Sequence, residues 1–105
     1  MNINPRDQII FRNLAALEEA GEQGFSTYHA GDIKTGSQEI KKSLHESALT
    51  INSLQNRELR TQAKELLKTA NQAIREYMKN PTEDNLSILK TDVDSYKEFL
   101  QDHQS

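Results

Sequence analysis

Apolar residues recur along this chain at alternating spacings of three and four, the rhythm of a helix that buries one face. In the first stretch Ile10, Leu14 and Leu17 keep that rhythm and Phe11 widens the stripe. Asn4 can cap, Pro5 suits a first helical position and Asp7 stands where a capping partner would, so a helix is predicted over about 5–20, closed by Gly21. Ile40, Leu44, Ser47, Ile51 and Leu54 share a second face, with Ser47 its polar exception; Thr35 and Gln38 bracket the predicted start of a helix over 37–54.

A third stripe, Leu59, Ala63, Leu66, Ala70, Ala73 and Tyr77, is offset by one residue from the second. Carrying the second register onward would bury Glu58, so a turn at Gln55 and Asn56 is favoured, with Asn56 capping a helix over 57–79. A single kinked helix over 38–79 is the competing reading. In "KNPTEDNL" Asn80 caps, Pro81 opens and Glu83 meets the helix dipole, after which Leu86, Leu89, Val93, Tyr96 and Leu100 mark a fourth helix over 81–102.

No period-two alternation supports a strand. Four amphipathic helices, none able to cover its apolar face alone, predict an all-α, antiparallel four-helix bundle, one helical domain over 1–105 with an irregular connection over 21–36. Leu67, Ile74 and Met78 flank the third stripe, and Ile88 and Phe99 the fourth. Such wide arcs suit a bundle centre, a homodimer seam or a partner groove, and Ala63, Ala70 and Ala73 let another helix come close.

Charge changes the picture of partners. A formal net charge of −3 gives no general attraction to nucleic acid or anionic lipid. Residues 57–79 nevertheless carry six basic residues against three acids, a net of +3, whereas 80–105 carry two against six, a net of −4. The row Arg57, Arg60, Lys64 and Lys68 can meet phosphates, an acidic protein surface or the acidic fourth helix. Without interleaved aromatic residues for base stacking, nucleic acid is not favoured. The chain has no Cys, which excludes disulfides and thiolate metal sites and is compatible with a reducing compartment. Its start lacks a basic segment followed by an apolar run, and the longest apolar run is "LAAL", so neither a signal peptide nor a membrane span is expected and the expected location is cytoplasmic.

Candidate chemistry is thin. His29, His45 and His103 are the only imidazoles and no two lie four apart, so no metal or other cofactor is expected. A phosphotransfer helix carries Lys three and Gly four residues after its His; His45 is followed by Ala48 and Leu49, and His29 by Asp32 and Ile33. No nucleophile elbow or Walker spacing occurs, and no enzymatic activity is expected.

The stretch "GFSTYHAGDIKTGS" is long for a passive connection. Phe25 and Ile33 can cover one end of the bundle, leaving Tyr28, His29, Asp32 and Lys34 near the surface, where loops on rigid scaffolds commonly bind. Free N–H groups at the following helix start also favour an anion. The expected function is that of a small soluble helical protein of regulatory or adaptor type, acting on a protein partner through a homodimer or a helical face. The alternative is a small-molecule or anion binder using the 25–37 loop, with Phe25 among its residues.

Overall fold

The computed structural model describes residues 3–29 and 33–104, with the side chains of 22–29 and 33–35 outside that description. Four helices follow in order: α1 (Pro5–His29), α2 (Ile33–Ile51), α3 (Arg57–Lys79) and α4 (Glu83–Asp102). Each packs on the next and α4 returns to α1, which makes a four-helix bundle. The start of α1 meets the end of α2 through Asn4 and Gln55, and also the end of α4 through Phe11 and Phe99, so sequence neighbours run antiparallel.

The stripes converge as their periodicity requires. Phe11 and Leu14 from α1, Leu44 and Ile51 from α2, Ala70, Ile74 and Tyr77 from α3, and Leu89, Val93, Tyr96 and Leu100 from α4 are buried in one cluster. Each large aliphatic side chain so buried contributes about 1.5 to 3 kcal/mol. On α3 the buried line is Leu59, Ala63, Leu67, Ala70, Ala73, Ile74 and Tyr77, so Leu67 takes the central place expected of Leu66. Leu66 is half-buried against the cluster.

Local chemistry explains the helix ends. Asn4 Oδ1 accepts from the N–H groups of Arg6 (2.9 Å) and Asp7 (3.1 Å), capping α1 with Pro5 at its first position. Asp7 does not reach back to complete a capping box. Its carboxylate crosses to the α2–α3 turn, accepting from Gln55 N (2.8 Å) and Asn56 N (2.9 Å). Asn56 in turn caps α3, its side chain accepting from Leu59 N at 3.1 Å, and Arg60 donates to the Leu54 carbonyl at 2.9 Å. The turn at Gln55 and Asn56 is therefore real, and the kinked helix over 38–79 is excluded.

Three expected boundaries need correction. The helix expected to close at Gly21 runs on to His29, and the helix expected to begin near Ser37 begins at Ile33, so much of the 21–36 stretch is helical backbone. Gly21 is not a cap but a contact: a Cβ there would meet Ser43 Oγ at 2.3 Å and Ser43 Cβ at 2.8 Å, so its bareness lets α1 and α2 approach. Ser37 is buried inside α2 instead of capping it. Asn80 ends α3, its N–H donating to the Glu76 carbonyl, because a residue before Pro is pushed out of the helical region. The cap of α4 is Thr82, which accepts from Asn85 N at 3.1 Å.

One polar seam lies inside the bundle. Glu18, only 2% exposed, accepts from Ser47 Oγ at 2.7 Å and from Ser43 Oγ at 3.4 Å. Ser47, the polar exception on the second stripe, is thus matched by a carboxylate on α1. Tyr96 lies beside Ser47, its buried hydroxyl without a hydrogen-bond partner among the described residues. Burial pushes its phenol above the usual range; the Ser47 hydroxyl offsets part of this and the Glu18 charge adds to it. This seam fixes the register of α1 against α2, since a slip of one residue would strand the carboxylate in apolar surroundings.

Candidate functional site: the basic groove between α2 and α3

The third helix is divided lengthwise by charge. Its buried line faces the core, and on one outer flank Lys64, Lys68, Asn71 and Arg75 follow at spacings of four, three and four. These four residues, with Leu67 and Gln72, form the α3 wall of an open groove whose opposite wall is Ala48 of α2 and Asn52 of the turn that follows it. The small side chain of Ala48 leaves the seam hollow, with a cavity volume of about 480 Å³. Eleven residues of helix separate Lys64 from Arg75, which makes the groove about 16 Å long.

Its electrostatics are one-sided. Three cations and three amide side chains line it and no carboxylate does. Lys64, Lys68 and Arg75 form no ion pair among the described residues, although the chain as a whole is acidic. Spacing extends both walls. Lys41 and His45, both exposed, precede Ala48 on one flank of α2, and Met78, 43% exposed, follows Asn71 and Arg75 on α3. The groove is cationic along its length with apolar Leu67 in its wall and Met78 at one end.

The residues singled out from sequence divide into three groups. Lys64 and Lys68 are brought together in the groove. Arg57 is exposed at the start of α3, and Arg60 is committed to the Leu54 carbonyl. The side chains of Phe25, Tyr28, His29, Asp32 and Lys34 lie outside the described residues. Among the described residues Lys64 and Lys68 do not pair with α4, because they lie on the flank toward α2, whereas Glu65 and Glu76 are the charged α3 residues lining the clefts toward α4. Sequence reading missed Arg75, which continues the row after Asn71 interrupts its charge. The signal was the spacing, carried past an uncharged position.

His45 is exposed, and His103 is half-buried against two phenylalanines. Its ring stacks on Phe11 at a centroid distance of 5.2 Å and lies 4.4 Å from Phe99, while Nδ1 donates to the Phe99 carbonyl at 2.7 Å. That arrangement closes the end of α4. Among the described residues no group of three or more His, Asp or Glu is placed to hold a metal ion, and no helix is long and apolar enough to cross a membrane. Comparison with known protein families, curated proteins and solved structures finds no match to this chain.

Proposed function

We propose that the protein is a non-enzymatic interaction module of regulatory or adaptor type, and that its α2–α3 groove receives an acidic segment of a partner protein. The observation that carries this reading is the unpaired cationic groove on an otherwise acidic chain. Lys64, Lys68 and Arg75, set in a row along one wall, repel one another, and a carboxylate-bearing segment laid along them offsets that repulsion while an apolar side chain covers the exposed Met78. Electrostatics of this kind favours fast encounter and selection by sign over raw affinity, which suits a regulatory contact. The lack of Cys is compatible with a reducing setting.

Reversing the groove's charge tests the reading. The variant carrying Lys64→Glu, Lys68→Glu and Arg75→Glu is expected to keep its helical content and to bind a labelled amphipathic peptide of glutamate, alanine and leucine about thirtyfold more weakly than the native chain. Three exposed attractions of up to about 1 kcal/mol each are then lost and replaced by repulsion. Fluorescence anisotropy measures it. Equal affinity in the reversed variant would remove the groove from the proposal.

A further inference from the structure

Gln72 stands on the crest of α3 and borders two grooves, the basic one toward α2 and another toward α4. The second encloses about 240 Å³ between Thr69, Ala73 and Glu76 on one side and Asn85, Ile88 and Asp92 on the other. Its sign is opposite. The charged groups that line it are the carboxylates Glu76 and Asp92, and Ile88 stands 53% exposed at its edge beside Ala73.

We propose that this α3–α4 groove is a second docking surface whose occupant is a cationic amphipathic segment of another protein, an apolar side chain resting on Ile88 and Ala73 and Lys or Arg groups beside Glu76 and Asp92. A lone exposed isoleucine is ordinary on a protein surface. Here it borders a hollow whose charges are unmatched, since neither carboxylate is ion-paired among the described residues. Burial also holds the Asp92 carboxyl above its usual range, because the groove takes water away from the charged form. A cation brought beside it reverses that penalty. A divalent metal fits less well, as no third His, Asp or Glu joins the two carboxylates among the described residues. A second copy of the chain fits less well too, because Lys64, Lys68 and Arg75 line a hollow of their own, and one hollow does not fill another. Grooves of opposite sign on the two flanks of one rigid helix give the chain the means to hold two different partners side by side.

The test uses the full chain, isotope-labelled, titrated with a short amphipathic peptide of leucine and lysine and, separately, with its glutamate-for-lysine counterpart. The lysine peptide is expected to move the backbone amide signals of Thr69, Ala73, Asn85, Ile88 and Asp92, and the glutamate peptide to leave them in place. Ile88→Ser is expected to weaken the lysine peptide about tenfold and Asp92→Asn about threefold, each without loss of melting temperature, since Ile88 is exposed and the asparagine at the half-buried position 92 carries no charge for burial to disfavour. Signals that move elsewhere, equal affinity in Ile88→Ser, or equal response to the two peptides would overturn the proposal. So would light scattering showing that the unliganded chain self-associates and that Ile88→Ser abolishes it, which would assign the groove to a second copy.

Discussion

Replacing Asp7 with alanine is expected to lower the unfolding free energy by about 3 kcal/mol, a large effect for one polar side chain. Asp7 is fully buried and accepts from two backbone N–H groups of the α2–α3 turn, at 2.8 and 2.9 Å. Hydrogen bonds to a charged acceptor are worth about 1.5 to 3 kcal/mol each, and their sum is reduced here because Gln55 and Asn56 are exposed enough for water to recover part of the loss. The carboxylate ties the first turn of α1 to a turn far away in sequence, so its removal loosens the α1 start and the α3 cap together. Asp7→Asn keeps one acceptor and should lose about half as much. Urea unfolding monitored by circular dichroism measures both, and a loss below about 1 kcal/mol for the alanine variant would show that the clip is dispensable.

Phe11→Ala should be costlier still, at about 3 to 5 kcal/mol, the usual range for removing a buried aromatic side chain. Phe11 is fully buried, meets Phe99 edge to face at 5.9 Å and lies under the ring of His103. Nothing else among these rings comes from α1. Truncation leaves a cavity at the junction of α1 and α4 and removes the support of the last turn of α4, where His103 donates to the Phe99 carbonyl. Besides the loss of stability, hydrogen exchange at residues 99–103 should speed up far more than exchange in the α2–α3 turn. Uniform acceleration along the whole chain would mean that the aromatic cluster is not a local fastening.

How much of this was legible beforehand depended on whether a residue's role followed from its own helix. Leu44, Val93 and Leu100 announced themselves by period, and Asn56 by the shift in register that Glu58 forced. Glu18 gave no such sign. A glutamate beside Leu17 reads as a solvated residue until Ser43 and Ser47 are known to face it, and that knowledge is tertiary. Gly21 misled for the same reason. In an isolated helix a glycine favours termination by roughly 1 kcal/mol per residue, but close packing against Ser43 outweighs that local cost and the helix continues. Pro81 reads from sequence as the first residue of the fourth helix with Asn80 as its cap, but a residue before Pro is held out of the helical region, and Asn80, at φ −142° and ψ 87°, closes α3 while Thr82 caps α4.

The groove was half legible. Lys64 and Lys68 belonged to a row visible in the sequence, while Arg75 lay beyond an asparagine and the hollow itself depended on Ala48 from another helix. Charge totals also pointed the wrong way. The opposite nets of residues 57–79 and 80–105 suggest pairing between the third helix and the fourth, but a total says nothing about flank, and Lys64, Lys68 and Arg75 line the groove toward α2.

Protein binding through the α2–α3 groove is tested most directly by titrating the labelled chain with the acidic peptide and mapping the amide signals that move. The expected result is a contiguous set at Ala48, Asn52, Leu67, Asn71 and Arg75, with affinity falling steeply as salt rises from about 0.1 M to about 1 M and the Debye length shrinks from about 10 to about 3 Å. Contradiction would be equally plain: signals unmoved at saturating peptide, or shifts that scatter over the bundle and ignore salt.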